Sequence, residues 1–183
     1  MKVENFFEMR AKTLEFLKSA VKALEPSEIL EAGTYHGASA LAVLESCKGK
    51  ITTIEIDPER AETARKNIEK KGYKNRATVI NDDAEIVFFM MQGNKYDLII
   101  IDSAKSQYNI LYELALGMLN ENGVIFMDNM DFYEKVQGEE YPAHKHRTII
   151  TNLRAFKENL NNDTRVHAEY FNIEDGVYII KHK

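Results

Sequence analysis

Cysteine occurs once in these 183 residues, tryptophan not at all and proline three times. A single thiol, Cys47, excludes an internal disulfide, so packing must hold the fold, and a reducing cytoplasm is the expected location. No apolar run approaches the roughly twenty residues of a membrane-spanning helix. Met1–Arg10 carries acidic residues and lacks an apolar stretch ending in a small-residue cleavage site, so no secretory signal is expected. Positive charge is not in excess either: 24 Lys and Arg against 29 Asp and Glu leave a net charge of −5. That balance excludes a global electrostatic pull toward nucleic acid.

What is present suits one soluble domain spanning residues 1–183, with 44% hydrophobic and 29% charged residues and enough length to bury a core. Cys47 falls on the apolar face of an expected helix and reads as a buried structural residue with no catalytic role. The densest basic cluster is His144, Lys145, His146 and Arg147. It reads either as a solvated helix start or as a local patch for an RNA phosphate or an acidic substrate.

Phe6, Phe7, Met9, Leu14, Phe16, Leu17, Val21 and Leu24 recur at helical spacing until Pro26, giving an N-terminal covering helix within residues 1–25. Strands and helices then alternate: strand 28–32, helix 38–46, strand 50–56, helix 58–71, strand 77–81, helix 83–91, strand 96–101, helix 107–119 and strand 123–128. This rhythm predicts a parallel sheet with helices on both faces. Asp57-Pro58 reads as an N-cap followed by a proline in the first turn, Gly72 as a helix stop, and Asn122-Gly123 as a tight turn. Residues 130–145 lack periodicity and contain Gly138 and Pro142, as a lid loop over the strand ends would. A helix over 146–160 follows, then strands 165–173 and 177–182 joined by a hairpin turn at Glu174-Asp175-Gly176.

The chemistry concentrates where strands end. Ile99-Ile100-Ile101-Asp102-Ser103-Ala104-Lys105 and Val124-Ile125-Phe126-Met127-Asp128-Asn129 are apolar runs that finish in carboxylate or amide oxygens. In open α/β sheets ligands bind in the crevice outside the strand carboxyl ends. Asp102, Asp128 and Asn129 can meet there as a hard-oxygen set for Mg2+, with Lys105 beside it. Tyr108 and Tyr112 follow Lys105 at helical spacing and read as packing residues.

The first strand delivers Glu31-Ala32-Gly33-Thr34-Tyr35-His36-Gly37-Ala38-Ser39. Gly33 and Gly37 permit sharp turns and close approach of a ligand, and Ser39 can hydrogen-bond a charged group near the helix start. Glu55 lies 22 residues after Gly33, near the offset at which an acidic side chain accepts from a ribose diol. Two nucleoside cofactors compete. NAD sites prefer a glycine where Tyr35 stands, because pyrophosphate must approach the helix terminus. S-adenosylmethionine is cationic and tolerates acidic neighbours such as Glu31 and Asp102. Asp83 accepts either from an adenine amino group or from its own helix, as an N-cap.

The ordered pieces E-A-G-T-Y-H-G-A-S, T-I-E-I-D-P, I-I-D-S-A-K-S-Q-Y and M-D-N, with the terminal D-G-V-Y-I-I-K, resemble the Mg2+-dependent class I O-methyltransferases, the catechol and caffeoyl-CoA group and its bacterial relatives. The likeness covers residues 28–130 and the hairpin. It implies a Rossmann-like α/β fold: a mostly parallel seven-stranded sheet with an antiparallel C-terminal hairpin strand. It implies Asp102, Asp128 and Asn129 as metal ligands, Asp102 facing the methionine amino group, Gly33, Tyr35 and Ser39 at the methionine end, Glu55 at the ribose and Asp83 at the adenine. Lys105 would be the general base. A homodimer is implied too, and the acceptor would be a catechol-like diol or, as in some bacterial relatives, 5-hydroxyuridine in tRNA. Other readings are a non-catalytic nucleoside-binding domain and an NAD-dependent oxidoreductase. The chain departs from the pattern where relatives read D-A-D-K against D-S-A-K here, and again in Met130-Asp131-Phe132-Tyr133-Glu134, which would border the acceptor.

Overall fold

The computed structural model describes residues 9–131 and 147–183. Phe6 and Phe7 of the opening helix, positions 132–145 of the expected lid, and His144, Lys145 and His146 of the basic cluster lie outside the described residues. Arg147 is described, as the exposed first residue of a helix.

Thirteen helices and strands follow in order among the described residues: α1 (Ala11–Leu24), β1 (Glu28–Ala32), α2 (Ala38–Ser46), β2 (Lys50–Ile54), α3 (Pro58–Lys70), β3 (Ala77–Ile80), α4 (Ala84–Met90), β4 (Tyr96–Ile101), α5 (Tyr108–Met118), β5 (Leu119–Met127), α6 (Arg147–Asn162), β6 (Val166–Phe171) and β7 (Val177–His182). The strands form one seven-stranded sheet in the order β3-β2-β1-β4-β5-β7-β6. β3, β2, β1, β4 and β5 pair in parallel, while β7 runs antiparallel between β5 and β6. The fold matches the sequence expectation.

Both faces of the sheet are covered, which is why the central strands read as unbroken apolar runs. Ile99, Ile101, Ile125 and Met127 point toward Val87 and Phe88 of α4, Leu111 and Ala115 of α5, and Leu153 and Phe156 of α6. Ile29, Ile51, Leu98, Ile100 and Phe126 point the other way, toward Leu17 and Val21 of α1, Val43 and Leu44 of α2 and Ile68 of α3. α3 starts as expected: Asp57 accepts from the backbone N–H groups of Glu59 and Arg60 at 2.9 and 3.0 Å, and Pro58 fills the first turn.

Two local expectations are corrected. Cys47 lies just past the end of α2 and is half-buried, its Sγ 3.4 Å from the Val43 carbonyl oxygen, because the helix stops one residue before it. The last parallel strand starts at Leu119 and not at 123. Tyr96 pairs with Leu119 but Leu98 with Val124, so residues 120–123 bulge out of the ladder. Asn120 secures the bulge by donating to Asp97 at 2.7 Å.

Candidate active site

The strand order reverses between β1 and β4, and the crevice at such a switch point is where this class of sheet binds ligands. Four site residues are the first ones beyond their strands, each held by one further hydrogen bond to the end of a neighbouring strand. The amide of Gly33 donates to Ile54 O at 3.0 Å, that of Glu55 to Ile80 O at 3.0 Å, that of Asp102 to Ala32 O at 2.9 Å and that of Asp128 to Ile101 O at 3.2 Å. Rigid sheet geometry therefore extends into the site. Gly33 has φ +101°, and a Cβ there would lie 1.9 Å from the Asp102 carbonyl oxygen. Only glycine lets these two strand ends close on each other.

The resulting cavity, about 580 Å³, is lined by Gly33, Tyr35, Glu55, Asp102, Lys105 and Asn129 among the expected residues. At one end, Asn129 donates its side-chain N–H to Asp102 Oδ1 at 2.8 Å, and Asp128 Oδ1 accepts from the Asn129 amide at 2.6 Å. Lys105 Nζ stands 3.8 Å from Asp102 Oδ1, with only 15% and 16% of the two side chains exposed. Burial pushes the Lys105 ammonium down, against the pull of Asp102, Asp128 and Asp175. Burial pushes Asp102 and Asp128 up, and each also feels other carboxylates. Among the described residues no three His, Cys, Asp or Glu side chains form a metal-holding group. The expected set has two carboxylates and takes its third oxygen from the Asn129 amide.

At the glycine loop, Glu31 is fully buried. Thr34 and Thr53 hydroxyls are 2.5 Å apart, and Thr53 donates its proton onward to Glu31 Oε2 at 2.5 Å. Burial lifts Glu31 to about 7, opposed by hydrogen bonds from Ser39 and Thr53. Its other oxygen, Oε1, is buried with no hydrogen-bond partner among the described residues. Glu55 lines the cavity while accepting from the amides of Tyr35 at 2.8 Å and Asp57 at 3.0 Å. Tyr35 itself has φ +49° and places its ring 4.9 Å from the Arg60 guanidinium.

Glu31, Gly37, Ser39, Asp83 and Asp128 stand behind the cavity wall and not on it. Gly37 is the N-cap of α2 with φ +90°, and Ser39, the second residue of the helix, is buried. Asp83 caps α4 through Glu85 N at 2.8 Å and accepts from Gln107 at 3.1 Å, while its neighbour Asp82 lines the cavity.

Three residues join the site without having been singled out for it. Asp175, in the hairpin turn, is buried, lines the cavity and favours the charged form of Lys105. The turn is stapled in place: Met130 N donates to Gly176 O at 3.0 Å, Asp131 N to Asp175 O at 2.7 Å, and Thr13 of α1 to Glu174 at 2.9 and 3.0 Å. Ser103 also lines the cavity, and its hydroxyl is buried with no partner among the described residues. Tyr108 packs as expected but its hydroxyl contacts Lys105 Nζ at 2.5 Å. Tyr112 is purely a packing residue by position, with its ring edge-on to Phe156 at 5.7 Å and its hydroxyl on Asp163.

Known proteins resemble this chain in sequence and in fold. The sequence profile of the O-methyltransferase family matches residues 2–183. An Arabidopsis thaliana protein named for the caffeoyl-CoA O-methyltransferases is 29% identical over 173 residues, 91% of this chain and 74% of that protein. The catechol O-methyltransferase of Mycobacterium tuberculosis is 28% identical over 118 residues, 63% of this chain and 54% of its own length. The crystal structure of a Podospora anserina methyltransferase with SAH bound superposes with a TM-score of 0.86 at 26% identity, covering 96% of this chain and 80% of that one.

Proposed function

The chain belongs to the O-methyltransferase family, and from that premise we propose that it moves the methyl group of S-adenosylmethionine to a hydroxyl of a small catechol-like acceptor with help from Mg2+. The observation that carries this reading is the meeting of Asp102, Lys105, Asn129 and Asp175 at one end of a cavity whose other end is the glycine loop and Glu55.

The residues fit both groups. The Glu31 carboxylate, buried behind the cavity wall with one oxygen unpartnered among the described residues, favours a cationic ligand through its charge, and the bare Cα of Gly33 keeps the backbone clear for it. Asp102 and Asp128, which repel each other beside the Asn129 side-chain amide, suit a hard divalent ion, which would relieve that repulsion. When bound, S-adenosylmethionine supplies an electrophilic methyl group and the cation makes a nearby hydroxyl more acidic.

Lys105 acts as base in this reading: its amine takes the hydroxyl proton, an N–H bond forms, and the electron pair stays on the acceptor oxygen for attack on the methyl carbon. The methyl group's bond to sulfur would break as the carbon–oxygen bond forms, its electrons staying on sulfur. Asp102 stands 3.8 Å from Lys105 Nζ and accepts from Asn129 at 2.8 Å, so the protein mainly positions the partners. Ser103 offers its unpartnered hydroxyl and Asp175 its carboxylate to the acceptor. A carboxylate prefers an acceptor with a second hydrogen-bond donor, which a catechol has next to the reacting hydroxyl. The uracil ring of 5-hydroxyuridine presents a carbonyl there.

Methyl transfer from labelled S-adenosylmethionine, with and without Mg2+, to a panel of catechols and to unmodified tRNA tests the proposal. Transfer to catechols that stops on chelation and in Asp102→Ala is expected. Full activity in chelator removes the metal role, and transfer to tRNA alone replaces the acceptor. Calorimetry that detects NAD but not S-adenosylmethionine would sink the reading altogether. A homodimer is part of the proposal, and sedimentation of the whole chain reads it.

A further inference from the structure

Tyr108 is the first residue of α5, three places after Lys105, in the short 3-10 turn that leads into that helix. Its ring is 1% exposed and meets Phe156 edge-on at 6.3 Å. Its hydroxyl joins two parts of the site. Tyr108 donates its one proton to the backbone oxygen of Asp128 at 2.7 Å, and Lys105 Nζ approaches the phenol oxygen at 2.5 Å. Because that proton is committed to Asp128, the phenol can only accept from Lys105.

A neutral amine has two N–H donors and one lone pair. Around Lys105, Tyr108 Oη takes one donor and the Ser103 carbonyl oxygen, at 3.4 Å, is placed to take the other. Both are electron-rich oxygens, so the lone pair turns away from them, to the side where Lys105 lines the cavity. The Asp128 carbonyl that receives the Tyr108 proton precedes Asn129, so the same bond ties the amine to the β5 strand end.

We propose that Tyr108 is a positioning residue for the reaction: its hydroxyl aims the Lys105 amine at the acceptor and fixes its distance from the Asp128-Asn129 strand end. This rests on the assignment of Lys105 as the base, and the experiment separates the two. Kinetics are measured for Tyr108→Phe in the wild-type background and in Lys105→Met, with the KM for both substrates and the unfolding midpoint of each variant. Tyr108→Phe lowers kcat by about tenfold to a hundredfold, the scale of a misplaced catalytic group, with both KM values within about twofold. In Lys105→Met the same change has no further effect, because residues acting as one unit are not additive.

An unchanged kcat in Tyr108→Phe overturns the proposal, as does an equal loss in the Lys105→Met background, which would mark a purely structural role. Full activity in Lys105→Met instead overturns Lys105 as base. If Tyr108→Phe does not fold, 3-fluorotyrosine at position 108 keeps the shape and both hydrogen bonds while weakening the phenol as acceptor. A fall in its kcat with unchanged KM supports the proposal, and no fall overturns it.

Discussion

Replacing Glu31 with glutamine should stabilise the protein at neutral and alkaline pH while weakening its hold on S-adenosylmethionine. Glu31 titrates near 4.5 in the unfolded chain and near 7 in the fold, the rise coming chiefly from burial. Below pH 4.5 the carboxyl is protonated in both states and the fold bears no charge penalty. Between 4.5 and 7 the unfolded state ionises while the folded state keeps its proton, and folding becomes progressively less favourable. Above 7 both are ionised and the whole penalty is present. At about 1.4 kcal/mol per pH unit, the difference between 4.5 and about 7 is about 3 kcal/mol, and little screening reduces it because the side chain is fully buried.

Glutamine mimics the protonated acid and removes this dependence. Urea unfolding of both proteins at intervals from pH 5 to 8.5 reads it out. The two should have similar stability at pH 5, and Glu31→Gln should lead by about 3 kcal/mol at pH 8. The comparison centres on Glu31, since Asp57, held low by hydrogen bonds from backbone N–H groups, and Asp97, held low against burial by hydrogen bonds from the Ser27 and Glu28 amides and the Asn120 side chain, are the same in both proteins. Parallel pH profiles would refute the reasoning. Calorimetry on the same samples should show weaker S-adenosylmethionine binding in the variant, because the buried charge that costs stability is the one offered to a cation.

Gly33→Ala combines a positive φ, worth about 1–2 kcal/mol against an L side chain, with a Cβ 1.9 Å from the Asp102 oxygen. It should lose at least about 2 kcal/mol in urea unfolding and bind no S-adenosylmethionine, and an unaltered midpoint would refute the close approach. Asp131 pairs with Lys157 at 2.7 Å with 2% and 16% of the side chains exposed, and accepts from the Tyr170 hydroxyl. Asp131→Ala strands the ammonium and should cost about 3–5 kcal/mol, whereas Asp131→Ala with Lys157→Met should recover much of it. Arg165, half-exposed between Glu113 and Asp163, makes equally short ion pairs, yet Arg165→Ala should cost under about 1 kcal/mol. A larger loss in thermal unfolding would show that this surface network acts cooperatively.

The strand ends were legible because a strand buried on both faces is a continuous apolar run, so Asp102 and Asp128 mark where β4 and β5 stop. Glu55 was legible because a parallel unit of strand, helix and strand has a nearly fixed length. Asp175 was visible only as a turn residue. Alternating hydrophobicity predicts a hairpin, but its turn reaches the cavity only because β7 inserts antiparallel between β5 and β6, a pairing decided by contacts far apart in sequence. The bulge at 120–123 has the same origin. Tyr108 was read correctly as a packing residue, and that reading hid its second role: helical spacing tells which face a side chain occupies, not what its terminal oxygen touches.

The placement of Asp175 changes the balance around Lys105. Three carboxylates, Asp102, Asp128 and Asp175, all favour a charged ammonium, yet burial outweighs them and draws Lys105 below its ordinary value. The same burial lifts Asp102 and Asp128, so desolvation drives both signs of charge toward neutrality. Any positive charge bound beside the carboxylates would oppose a proton on Lys105 further. Burial thus works against the charge on Lys105 while the neighbouring carboxylates favour it, an opposition that suits the proton uptake asked of Lys105 in the proposed reaction.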